Sequence, residues 1–141
     1  MDMKKYRAVI DTNVLHAGLY SASGASFQIL RLIESDRVTP ILSTTLLFEY
    51  EEVLKRNQGM LGLSDHDVND ILDGLCVKGE PRIIHFLWRP HLSDPKDDHI
   101  LELAVAAGDA DIVTHNVKDF VQALSLGVRI VTPAKLLGEL K

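Results

Sequence analysis

The chain has one cysteine, Cys76. A single thiol permits no disulfide within the chain. Cys76 lies in an apolar helical pattern, so it is expected to be buried and inert. There is no excess of positive charge either. The formal net charge is −5, so no strong basic field advertises nucleic-acid binding. That balance still allows an acidic site whose local charge a bound divalent cation would invert. No stretch reaches the length of a membrane span, and the first residues lack the apolar core of a signal peptide. No internal repeat, low-complexity tract or linker interrupts the 141 residues. That length suffices for one compact domain with a real core. The expectation is a single domain over residues 1–141 of a cytoplasmic enzyme or binding protein, with no membrane partner.

Against this background one stretch stands out. Arg7-Ala8-Val9-Ile10 is an apolar strand that ends in Asp11, and the chain then turns through Thr12 and Asn13. In α/β proteins chemistry collects at the carboxyl ends of strands. Asp11 is therefore either a ligand or a simple turn or helix cap. Beyond it, His16 to Ser23 reads as loop, and Ala25 to Glu34 as a helix carrying Phe27, Leu30 and Ile33. Val38 to Leu42 is a second strand, with Pro40 suggesting an edge or irregular position. Ser43, Thr44 or Thr45 caps a helix that runs to about Arg56. On its wheel Glu49 and Glu51 flank the apolar stripe equally, and Glu52 points away.

Gln58 to Leu63 is a glycine-containing connection. Ser64 and Asp67 have the spacing of a capping box before a helix with Val68, Ile71, Leu72 and Leu75 on one face. Arg82 to Leu87 reads as a strand, and Trp88 as core in preference to a stacking surface for a base. Asp94 followed by Pro95 reads as a helix cap with proline at the first helical position. The helix then runs to about Ala107. Its wheel places Asp97 inside the apolar stripe, Asp98 on the border and His99 outside, exposed. Asp111 to Thr114 and Val128 to Val131 complete the strands, and a helix with Leu136, Leu137 and Leu140 closes the chain. Asn116 and Asp119 again stand just beyond a strand end.

Alternating strands and helices predict an α/β fold around a parallel sheet. Asp11, Glu49, Asp97 or Asp98, and Asp119 can then meet at one edge. Clustered carboxylates repel unless a cation holds them, and an all-oxygen set suits Mg²⁺ or Mn²⁺. Such a site suits phosphodiester hydrolysis.

The segments Val9–Leu15, Leu46–Leu54, Asp94–Leu101 and Val113–Phe120, in that order, resemble a PIN domain. The resemblance is closest to the prokaryotic branch of toxins in toxin–antitoxin pairs. It implies an α/β/α sandwich with a central parallel β-sheet flanked by helices, and a Mg²⁺- or Mn²⁺-dependent ribonuclease acting on single-stranded RNA. It also implies a homodimer and an antitoxin protein as partner. The family's first aspartate matches Asp11, and its glutamate matches Glu49. Its third acid falls on Asp97 or Asp98, and its fourth position on Asp119 or Asn116. Thr12, Asn13, Thr114 and Asn116 would orient these ligands, and Lys55, Arg56, Arg89 and Lys118 are candidate phosphate contacts. A phosphatase of the haloacid dehalogenase kind would want a second aspartate where this chain has Asn13. A degenerate PIN domain that binds without cleaving is the non-enzymatic alternative.

Overall fold

A computed structural model describes residues 5–84, 92 and 94–140. Five parallel strands form the sheet: β1 (Tyr6–Ile10), β2 (Val38–Leu42), β3 (Glu80–Pro81), β4 (Asp111–Val113) and β5 (Ile130–Val131), in the spatial order β3-β2-β1-β4-β5. Among the described residues, seven α-helices accompany it: α1 (Thr12–Tyr20), α2 (Ala25–Glu34), α3 (Thr44–Arg56), α4 (Gln58–Leu61), α5 (Asp65–Lys78), α6 (Asp98–Ala107) and α7 (Pro133–Leu140). The predicted α/β architecture is the observed one.

The strand order places the site. From β1 the chain steps outward to β2 and β3, then crosses back to β4 on the other side of β1 and on to β5. Ala8 pairs with Asp111 and Ile10 with Val113. The ends of β1 and β4 therefore lie side by side where the winding reverses. At such a reversal the loops diverge and leave a crevice beyond the carboxyl edge.

β1 is central and buried over Ala8, Val9 and Ile10, as a strand covered on both faces must be. α6 packs over β1, β2 and β4 and also touches α3. It is enclosed on nearly every side, with Asp98 through Ala104 all buried. A helix covered this way loses the one-faced pattern from which exposure is read. His99 was expected to be exposed and is in fact 5% exposed.

Other expectations were changed by local packing. His16 to Ser23 is not loop throughout, because α1 runs to Tyr20. Pro40 is not on an edge, because β2 lies between β1 and β3. Pairing with β3 begins only at Ile41, one residue past the proline. β3 starts earlier than Arg82, and the rest of the strand expected to Leu87 is not seen over Arg82–Ile84. Its last residues, with Trp88 and Arg89, lie outside the described residues. Gly79 permits the early start. A Cβ there would lie 2.7 Å from the Leu75 carbonyl oxygen and 2.9 Å from that of Pro40. Gln58–Leu61 forms a short helix within the expected connection. The caps are as read: Ser43 accepts from Leu46 N–H, Ser64 and Asp67 form a reciprocal box, and Asp94 accepts from Lys96 N–H. Cys76 is exposed on α5 and not buried, since only Val68 and Leu75 of that helix are fully covered. Among the described residues no helix is long and apolar enough to cross a membrane.

Candidate metal centre

The two edges of the sheet differ in charge. At the amino edge Glu80, Asp111 and Glu139 each meet a cation. Arg7 on β1 meets Glu80 at 2.6 Å, and Arg129 meets Asp111 at 2.9 Å and Glu139 at 2.7 Å. The Arg7 guanidinium holds Glu80 down to about 2. At the carboxyl edge, among the described residues, no lysine or arginine pairs with Asp11, Asp97 or Asp119.

Asp11 is the residue before α1, and its carbonyl accepts from Val14 N–H at 2.9 Å. It occupies the N-cap position as one reading expected, but its side chain makes no cap bond to the helix. The carboxylate turns instead toward β4, where Thr114 Oγ1 donates to its Oδ2 at 2.7 Å. Burial pushes the Asp11 pKa up, the Thr114 bond opposes that, and the Glu49 charge adds to the rise. Beneath it, Tyr50 is fully buried and its hydroxyl donates to the Ile10 carbonyl at 2.5 Å. Burial, with the Asp11 and Glu49 charges nearby, keeps that phenol protonated.

Glu49 projects from α3 and is half-buried. Its Oε2 accepts from the Thr12 hydroxyl, and its Oε1 lies 3.0 Å from His99 Nε2. Burial raises its pKa, but the bonds from His99 and Thr12 outweigh this and leave it below the usual glutamate value. The tie with Glu51 is thereby broken, since Glu51 pairs with Lys55 on the helix surface at 3.4 Å. Arg56 pairs with Glu52 in the same way, so Lys55 and Arg56 are engaged along α3 itself.

Asp97 and Asp98 separate clearly. The wheel placed Asp97 inward and Asp98 on the border, but their burial is the reverse. Asp98 is 1% exposed, and its Oδ1 accepts from Leu92 N–H at 2.7 Å. The reason is that Pro95–Asp97 is a 3₁₀ turn and the α-helix begins only at Asp98. A tighter turn changes the angle per residue that the wheel assumed. Asp97, half-buried, is the one in the acidic field. Burial and the charges of Asp11, Asp94, Asp119 and Glu49 together push its pKa up to about 6.

At the fourth position Asp119 is half-buried and its charge reaches Asp97, whereas the Asn116 side chain is exposed. Asn116 contributes its backbone N–H, which donates to Thr114 Oγ1 at 3.0 Å. Asn13 braces the same turn, accepting from His115 N–H at 3.3 Å. Ser26 at the start of α2 also reaches it, with Oγ 2.7 Å from His115 Nε2. Neither His99 nor the Ser26–His115 pair was anticipated from the sequence. The nearly unbroken apolar run of α6 was the available signal for His99, because it implies burial all round.

Residues 7–118 match the PIN domain family model. The chain belongs to the PIN domain family. No curated protein matches it in sequence. PIN domains are typically nucleases and typically use divalent metals. The matched span of this PIN domain includes Asp11, Glu49 and Asp97 and ends one residue before Asp119.

The donor set tests whether such a metal fits. These are hard oxygen donors with excess negative charge and, among the described residues, no lysine or arginine paired with Asp11, Asp97 or Asp119, which is the chemistry of Mg²⁺ or Mn²⁺ sites. Among the described residues, no three acids or histidines stand close enough to form a ready chelate. The PIN domain thus presents the right charge and donor type, without a closed cage. Mg²⁺ characteristically keeps several waters and takes few protein ligands, so a closed cage is not required.

Proposed function

We propose that this PIN domain is a Mg²⁺- or Mn²⁺-dependent endoribonuclease that hydrolyses phosphodiester bonds in single-stranded RNA. The observation that carries the reading is the gathering of Asp11, Glu49, Asp97 and Asp119 at the β1–β4 reversal, where burial and the neighbouring acid charges together push the Asp97 pKa up to about 6 and, among the described residues, no lysine or arginine pairs with Asp11, Asp97 or Asp119. A structural acid cluster would be expected to hold its own cations, as the amino edge does.

In this reading Asp11 and Asp97 would hold the principal ion, with Glu49 and Asp119 meeting it through water or helping to hold a second ion. Asp98 serves as the anchor of Leu92 and not as a ligand, and Asn116 serves through its backbone. When bound, the ion supplies Lewis acidity toward a phosphoryl oxygen and lowers the pKa of a water. The protein supplies position. Thr114 orients Asp11, and Thr12 and His99 orient Glu49. The exposed His115, Asn116 and Lys118 form a rim with hydrogen-bond donors for the phosphate backbone.

The reading extends to a homodimeric, cytoplasmic toxin restrained by an antitoxin protein, on the strength of the sequence resemblance. Growth arrest on expression, relieved by a co-expressed partner, tests that extension. The nuclease itself is tested with labelled single-stranded and duplex RNA and a phosphate monoester, each with Mn²⁺, Mg²⁺ or chelator. Metal-dependent cuts within the single strand are expected. Turnover of the monoester alone would point to a phosphatase, and binding of RNA without cleavage would point to a non-catalytic module.

A further inference from the structure

We infer that His99 is a positioning residue that fixes Glu49 for metal binding by donating from Nε2, with its ring held as the Nε2–H tautomer. This deepens the proposed function and rests on it.

Glu49 stands on the flank of a helix, where a long side chain ordinarily swings into water. Here both carboxylate oxygens are engaged by other elements: Oε2 accepts from the Thr12 hydroxyl of α1, and Oε1 lies 3.0 Å from His99 Nε2 of α6. The His99 side chain is 7% exposed and that of Glu49 31%. The contact therefore spans the border of the buried interior, with the histidine on the covered side and the carboxylate on the solvent side.

The other ring nitrogen decides the tautomer. His99 Nδ1 is buried and, among the described residues, has no hydrogen-bond partner. A hydrogen on Nδ1 would be a buried unpaired donor, and Nε2 would then face a carboxylate with its lone pair. Both are unfavourable. With the hydrogen on Nε2, the carboxylate receives a donor and only a weak acceptor is left unpaired. The arrangement parallels the outer partners that orient ligands in metal sites, whose loss typically weakens binding about 10- to 100-fold.

Two measurements test this. Long-range proton–nitrogen spectra of the metal-free protein, at one fixed pH, read which ring nitrogen carries the hydrogen. The expected result is Nε2–H in the wild type, with a shifted Nε2 signal in Glu49→Gln. Mn²⁺ affinity is then measured by electron paramagnetic resonance of the free ion, on variants shown to be folded by circular dichroism. His99→Leu is expected to bind about 10-fold more weakly, and His99→Gln, which keeps an N–H donor, close to wild type. Adding His99→Leu to Glu49→Gln is expected to cost nothing further, because the two act as one unit.

A hydrogen on Nδ1, a ring signal indifferent to Glu49→Gln, or full Mn²⁺ affinity in folded His99→Leu would each overturn the inference. Equal loss of affinity in His99→Leu and His99→Gln would overturn it too, since it would mark a purely structural role. A wild type that binds no Mn²⁺ would overturn the proposed function and the use of the clamp with it. The spectra would still report whether the bond exists.

Discussion

Thr114 Oγ1 donates to Asp11 Oδ2 at 2.7 Å, joining the carboxyl ends of β1 and β4 through their side chains. The same hydroxyl oxygen accepts from Asn116 N–H at 3.0 Å. Thr114 is fully buried, so water has little access to replace either bond. Thr114→Val keeps the shape and removes both bonds, leaving the Asn116 N–H and Asp11 Oδ2 without the Thr114 hydroxyl. Such a change costs about 1–3 kcal/mol. Chemical denaturation should show that loss, and Mn²⁺ affinity should fall as the Asp11 carboxylate becomes free to turn.

Burial and the neighbouring acid charges at Asp97 predict a conflict between stability and function. Its pKa in the folded chain, about 6, lies above the ordinary 3.8. Above pH 6 the folded state carries the full penalty of the charged form, and the penalty is relieved as pH falls through 6 toward 3.8. Metal-free protein should therefore gain stability from this group between pH 7 and pH 5, and Asp97→Asn should lessen that gain. At pH 7 Asp97→Asn should be more stable than wild type by on the order of 1 kcal/mol, allowing for solvent screening of a half-exposed group. That corresponds to about 3 °C in Tm for a chain of this size. Thermal melts in chelator at several pH values check both signs. Added Mn²⁺ should raise the Tm of wild type more than that of Asp97→Asn.

Adjacent to it, Asp98 should behave oppositely. Its Oδ1 accepts from Leu92 N–H at 2.7 Å in a buried setting. Asp98→Asn keeps an acceptor oxygen there, and Asp98→Ala removes it. The alanine variant should lose about 1–3 kcal/mol, and the asparagine variant much less. Hydrogen exchange at the Leu92 amide should quicken in the alanine variant alone.

The parallel α/β sheet was legible because its buried strands are short apolar runs ended by polar groups. Asp11 was legible for the same reason, standing at the end of the buried run Ala8-Val9-Ile10. The choice between Asp97 and Asp98 was not, because a 3₁₀ turn precedes the helix and shifts the wheel by a fraction of a turn. The second half of α1 was missed because His16 to Ser23 runs into the turn residues Ser21–Gly24, and Gly18 lies within it. In the fold that glycine is where α2 comes close, and a Cβ there would lie 3.0 Å from the Ser26 carbonyl oxygen. His99 was misplaced because its burial depends on α3 and the sheet closing around α6, which is tertiary and invisible to local periodicity. Asp119 and Asn116 could not be ranked, since only the turn after β4 decides which side chain faces the acids.

Cys76 gives a simple check on the outer surface of α5. It is exposed, so a thiol reagent should modify it in the native protein without denaturant. Cys76→Ser should leave stability within about 0.5 kcal/mol.

The decisive comparison sets wild type beside Asp11→Asn, Asp97→Asn and Asp98→Asn in cleavage of one labelled single-stranded RNA with Mn²⁺. Wild type and Asp98→Asn should cleave at similar rates, while Asp11→Asn and Asp97→Asn should each lose about 100-fold or more while remaining folded. Undiminished cleavage by folded Asp11→Asn or Asp97→Asn would contradict the assignment of the acidic crevice between β1 and β4 as the active centre.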